Sequence, residues 1–291
     1  MRPTELKPLL EETIRQCSHV ERLREDPVGL VHPYPRDDDR EVVALFASCL
    51  AYGRVELLRR GVLDILDPLG DHPAEFLRQA DEAHLDSLWR NFRYRMTGGD
   101  DVRDLASAIA STLKHEASLQ GLYLDGHSSS EPIADRDAHL QLASAFVRRL
   151  RARRRRDELH RGFRYLLPDP ADGSACKRLH LYFRWIARGP DPIDLGIWDC
   201  IDPCALIMPL DTHTSRICRY LGLLERKSVD GKAARQVTEE LARFDAEDPL
   251  RYDFALCHLG ISQQCIHRRC PDRCPRCPIE PACILAAQPP L

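Results

Sequence analysis

Five of the 12 cysteines fall between Cys265 and Cys283, and no other feature restricts the fold of this chain as much. The last three read Cys274-x2-Cys277-x5-Cys283, with Cys265 and Cys270 just upstream. Disulfide scaffolds belong to short exported chains. This one has 291 residues, and Met1-Arg2-Pro3-Thr4 leads into no signal-peptide core. A metal centre is therefore expected. Zinc ribbons usually separate two ligand pairs by a dozen or more residues, whereas one compact loop of thiolates suits a four-iron four-sulfur cluster. Zinc is the alternative. Pro271, Pro275 and Pro278 follow three of the cysteines, stiffening the loop and removing backbone donors near the sulfurs.

The rest of the chain reads as helix. Leu, Ala, Arg and Glu recur at helical spacing, and long alternating Val/Ile/Thr runs are missing, so a nearly all-α fold is expected. The longest nearly uncharged apolar run, residues 42–53, is shorter than the roughly 20 residues of a spanning helix, which predicts a cytoplasmic protein. Helical patterns cover about 40–66 with a break at Gly53, then 73–78, 83–92, 102–115, a long one from 136, 175–188, 211–221, 231–244 and 248–260. Residues 121–135, with Asp125-Gly126, three serines and Pro132, read as a loop insertion. Asp37-Asp38-Asp39 reads as a solvated loop or a helix cap, and the seven cysteines outside the loop as small apolar groups.

Charge is uneven. The formal total is −3, yet residues 141–190 hold thirteen Lys/Arg against four Asp/Glu, which leaves −12 for the remainder. A local basic field is what phosphate recognition needs. Arg148, Arg149, Arg151, Arg153, Arg154, Arg155 and Arg156 crowd one helix end, which must be wet or covered by something anionic. In the helix over 175–188, Lys177, Arg184 and Arg188 fall on one line, while Leu179, Tyr182, Phe183 and Ile186 lie opposite, so a cationic face is predicted. Trp185 lies at its edge and reads as a boundary core residue.

From Gly260 to Cys283 the sequence resembles the helix-hairpin-helix DNA glycosylases of the endonuclease III and adenine-glycosylase type, which end a helix in glycine and bind a 4Fe-4S cluster through Cys-x6-Cys-x2-Cys-x5-Cys. Cys274, Cys277 and Cys283 are in register; the usual first-ligand position carries His267. The resemblance implies Cys265 as the first ligand, with Cys270 as the alternative. Pro209-Leu210-Asp211-Thr212-His213 looks like the Val-Asp-Thr-His segment of the same superfamily. A carboxylate at a helix N-terminus is kept ionised by free N–H groups and can stabilise the oxocarbenium-like charge formed as an N-glycosidic bond breaks. Asp211 is the catalytic candidate, an ordinary N-cap being the alternative.

In bifunctional members a lysine on the second hairpin helix attacks the sugar, which the resemblance places at Lys177 in Gly173-Ser174-Ala175-Cys176-Lys177. The hairpin has one glycine where two are usual. More broadly, the chain resembles the bacterial DUF2400 type of conserved proteins in residues 26–33, 50–54, 166–178, 209–216 and 252–255.

The expectation is a two-domain, all-α, glycosylase-like fold: residues 40–208 facing a unit made from 1–39 and 209–291. Duplex DNA with a lesion would lie in the cleft, gripped by Arg148, Arg149, Arg153, Arg154, Arg184, Arg188, Arg216, Arg268 and Arg269. The activity would be base excision, with AP-lyase activity if Lys177 is suitably placed. A non-catalytic nucleic-acid-binding iron–sulfur protein and a cluster-based redox sensor are the alternatives.

Overall fold

The computed structural model describes residues 3–17, 19–156, 158–261 and 265–287. Fourteen α-helices are found among them. The first eight are α1 (Pro3–Gln16), α2 (His19–Glu25), α3 (Asp37–Cys49), α4 (Val55–Leu66), α5 (Pro73–Gln79), α6 (Glu82–Ser87), α7 (Gly99–His115) and α8 (Leu119–Leu124). Then come α9 (Arg136–Ala152), α10 (Arg161–Leu166), α11 (Lys177–Ala187), α12 (Thr212–Tyr220), α13 (Gly231–Ala242) and α14 (Asp253–Ile261). None is long and apolar enough to cross a membrane. The only strands described are β1 (Arg93–Tyr94) and β2 (Thr97–Gly98), an antiparallel pair joined by the two-residue turn Arg95-Met96.

Local chemistry accounts for many helix starts. Asp135, Asp211 and Asp230 each accept a hydrogen bond from the backbone N–H three residues on, at 2.7, 2.8 and 2.9 Å, which fixes where α9, α12 and α13 begin. Part of the segment predicted as a loop over 121–135 is instead the end of α8, whose N-cap Ser118 accepts from Gly121 N, and Ile133 pairs with Ile201. Asp39 is fully buried rather than solvated, holding the backbone N–H of Ala74 at 2.9 Å and so tying α3 to α5.

Apolar side chains gather in two clusters. The larger draws on residues from Val28 to Leu206 and packs α11 across α3, with Phe146, Tyr182, Phe183 and Trp198 at its centre. Burying a ring such as Phe183 contributes about 1.5–3 kcal/mol. The smaller cluster joins Leu6 and Leu10 of α1 to side chains between Ile207 and Ala282. Val28, Leu30 and Val31, grouped with the C-terminal half in the sequence reading, pack into the larger cluster. Leu250 and Phe254 also cross over to it, so the start of α14 lies at the seam.

Trp185 is 1% exposed and therefore core. Glu41, also in the interior, accepts from Trp198 Nε1 at 2.6 Å and from Leu119 N at 2.9 Å. With no counter-charge touching it among the described residues, burial pushes its carboxyl up to about 7, against the pull of those two donors.

Candidate active site

The first turn of α11 and the N-terminus of α12 meet at the seam between the clusters. Gly173 at φ 78 and Cys176 at φ 41 turn the chain into α11 and put Lys177 at its first position. Asp211 caps α12. Thirty-four positions apart in sequence, Lys177 Nζ and Asp211 Oδ2 stand 2.9 Å apart. Their side chains are 27% and 18% exposed, so the pair is recessed but open to a ligand.

The pair holds its own charges. Burial opposes ionisation of both groups, but Asp211 beside the lysine outweighs it and raises the Lys177 pKa, while Lys177 and the Thr214 N–H hold Asp211 below the usual carboxylate range. Lys177 is thus an ammonium and Asp211 a carboxylate at neutral pH. Asp26 and Cys257 are close enough to reinforce the charge on Lys177. Asp26 also lies 3.6 Å from His258 on α14 and caps the turn at residues 27–30. These neighbours escaped the sequence reading. Their one signal was that Asp26-Pro27 recurs in the family-like stretches, which says nothing about spatial proximity.

Arg178, the next residue on α11, makes a separate aromatic contact. Its guanidinium stacks at 4.3 Å over the Tyr165 ring and 5.1 Å over Tyr52, and donates to the carbonyl of Cys49 at 3.1 Å. Tyr52 and Tyr165 meet edge to face at 5.3 Å.

The predicted cationic face of α11 is not a surface. Arg184 is 3% exposed and pinned between Asp194 at 3.1 Å and Asp253, to which its Nη1 donates. Arg188 is held by Asp194 at 2.7 Å, Asp248 at 2.9 Å and Asp191. Carboxylates from the loop after α11 and from residues 248 and 253 occupy that line, so neither arginine is presented to a ligand.

The arginine run is also largely engaged. Arg149 binds Asp125 at 2.8 Å, Arg153 binds Glu116 at 2.7 Å, Arg155 binds Asp86 at 2.6 Å and Arg156 binds Asp104 at 2.7 Å. Arg154 donates to the carbonyl of Arg151. Arg148 stays exposed at the rim of a groove between α9 and α13. Arg216, Arg268 and Arg269 are exposed on α12 and the cysteine loop, the side of the molecule that carries Asp211.

Cys265, Cys270, Cys274, Cys277 and Cys283 all line one small hollow, walled by Ile217, Tyr220 and Ile279. Burial pushes the Cys277 thiol up to about 11, and Cys265, Cys283 and Cys274 are near enough to raise it further by mutual repulsion. Such sulfurs ionise together only beside a cation. The Cys270 backbone N–H donates to Cys274 Sγ at 3.2 Å. Among the described residues no three His, Cys, Asp or Glu side chains are grouped tightly enough for a single metal ion. Four-iron clusters are held by four thiolates, the donor type that Cys265, Cys274, Cys277 and Cys283 supply around this hollow.

Comparison with curated proteins and with solved structures finds no match for this chain. A family does match, over residues 26–262, a span that includes both Lys177 and Asp211 and stops short of the cysteine loop. The chain belongs to the family described as protein of unknown function (DUF2400).

Proposed function

We propose that the protein is a DNA base-excision enzyme, an N-glycosylase on damaged or mismatched bases with AP-lyase capacity, and that Lys177 and Asp211 are its reacting pair. The observation that carries this reading is the 2.9 Å approach of a recessed lysine to a helix-capping carboxylate. A nucleotide turned out of the duplex would bring its sugar to this pair. Asp211 stabilises positive charge at C1′ as the base leaves with the bonding electrons. Lys177 Nζ, once it has lost a proton, forms a bond to C1′; ring opening then leaves an imine.

The same geometry sets a cost. In the resting pair Lys177 is protonated, so the nucleophilic amine is a minority form, and its share grows as pH rises toward the raised lysine value. An iron–sulfur cluster, when bound, would supply rigidity to the loop that presents Arg268 and Arg269. Cys265, Cys274, Cys277 and Cys283 are the residues to hold it.

The test is borohydride trapping on duplexes carrying an abasic site or a panel of damaged bases, with an iron assay on anaerobically prepared protein. A covalent adduct is expected that grows from pH 6 to 9 and is lost in Lys177→Gln. Asp211→Asn is expected to abolish base release while sparing DNA binding. If wild type yields neither adduct nor released base while still binding duplex, the reading gives way to a non-catalytic binding protein. Equal loss of binding and cleavage in Asp211→Asn would make that residue structural.

A further inference from the structure

A second hollow, of about 950 Å³, opens between α9 and α13 and reaches α11, and neither Lys177 nor Asp211 lines it. Small-molecule sites commonly measure about 300–1,000 Å³. Contacts between distant segments frame it. Arg235 of α13 pairs with Asp137 of α9, and Gly231 N at the start of α13 donates to the Gly173 carbonyl at 2.9 Å.

Four cations line this hollow, Arg148, Arg226, Lys232 and Arg235, with two carboxylates, Asp137 and Asp230. Both acids are already engaged. Asp230 binds Arg226 at 2.6 Å and caps α13 at the Ala233 N–H, while Asp137 holds Arg235. Arg148 on α9 and Lys232 in the first turn of α13 are the cations left over. Both are exposed, and neither has an ion pair or a side-chain hydrogen bond among the described residues. A guanidinium fork beside an ammonium is a donor set that suits a phosphate group.

The interior supplies a different kind of group. His180, one turn after Lys177 on α11, lines the hollow at 3% exposure. Its ring, Nδ1 included, has no hydrogen-bond partner among the described residues. Buried polar atoms are ordinarily partnered, so an orphan ring lining an open hollow marks a place for a ligand atom. Burial lowers the His180 pKa to about 4, so the imidazole is neutral at pH 7 and suits an uncharged donor or acceptor rather than an anion. Leu140 and Ile207 add apolar surface, and the exposed Gln141 amide is also without a partner among the described residues.

Two free cations, a neutral hydrogen-bonding ring inside and apolar surface beside it call for a ligand that joins a phosphate to an uncharged polar ring. We infer that this hollow binds a nucleoside 5′-monophosphate, with its phosphate on Arg148 and Lys232 and its base turned in toward His180. The inference uses neither Lys177 nor Asp211 and does not rest on the base-excision reading.

Isothermal titration calorimetry of the full chain with the 5′-monophosphates of adenosine, guanosine, cytidine and uridine tests it, beside inorganic phosphate and the parent nucleosides. At least one nucleotide is expected to bind with a Kd below about 1 mM, and about tenfold or more tighter than phosphate or its own nucleoside. Replacing Arg148 and Lys232 together by alanine is expected to weaken it by about tenfold or more with the unfolding midpoint unchanged, since both are surface residues. His180→Phe is expected to bind the nucleotide no better than phosphate, and Lys177→Gln to bind it as wild type does. Absence of binding by every nucleotide at about 1 mM overturns the inference, as does a double variant that binds like wild type. Inorganic phosphate binding as tightly as the nucleotides overturns the place given to the base, whether or not His180→Phe folds. A short duplex that displaces the nucleotide and loses affinity equally in the double variant overturns the small-molecule assignment in favour of a nucleic-acid track.

Discussion

Arg153 and Arg155 reach acidic side chains at the surface, whereas Arg184 and Arg188 reach acidic side chains inside, and in sequence the two sets look alike. Both stand in arginine-rich helical segments, and both are matched by carboxylates from other parts of the chain. The difference is solvent. A guanidinium at the rim trades water for a carboxylate at little net gain. One at 3% exposure has no water to return to, so its partners are indispensable once the fold has enclosed them. Charge in a sequence therefore signals a ligand surface only after the protein's own acids have been counted, and here the count removes most of residues 148–156.

The sharpest way to break the comparison is Arg184→Ala. Removing the guanidinium strands Asp253 in the interior and leaves Asp194 to Arg188 alone, and a stability loss of about 3–5 kcal/mol is expected in urea unfolding. A loss under about 1 kcal/mol would show that water enters the seam and that the pair behaves like a surface one.

Glu41 sharpens it from the other side, as an interior charge with no counter-ion. Its folded pKa, near 7, lies above the value of about 4.3 for an unfolded glutamate. Between those two pH values the native state binds more protons than the unfolded state, so stability falls as pH rises through that window, by on the order of 3 kcal/mol in all. Glu41→Gln keeps hydrogen-bonding capacity and should flatten the dependence, as read from unfolding midpoints between pH 4.5 and 7.5. A slope unchanged in the variant would assign it to another group.

The smallest effect belongs to the rim. Arg153→Ala and Arg155→Ala are each expected to cost at most about 1 kcal/mol, an effect that fades as salt is raised. A larger, salt-independent loss would mean that these arginines act through the packing of their stems.

Legibility followed the range of the interaction. The Asp211 cap is readable because the acceptor and the Thr214 N–H are three residues apart, whereas α11 starts after Cys176 with no side-chain cap. The hairpin was not readable: its four strand residues are too few for an alternating pattern, and they pair because Tyr52, over forty positions away, clamps Tyr94 and Thr97. The cationic face of α11 was misread for a related reason. Periodicity placed Lys177, Arg184 and Arg188 on one line, but whether that line met water or Asp194, Asp248 and Asp253 depended on segments that no local pattern connects.

What the sequence determined by itself was the helical character, the helix caps and the grouping of the cysteines, all set by interactions within a few residues. Only the tertiary structure decided that Lys177 meets Asp211 and that Arg184 is interior. Those outcomes depend on which distant surfaces are buried together, and burial decides whether a given charge is solvated, paired or available.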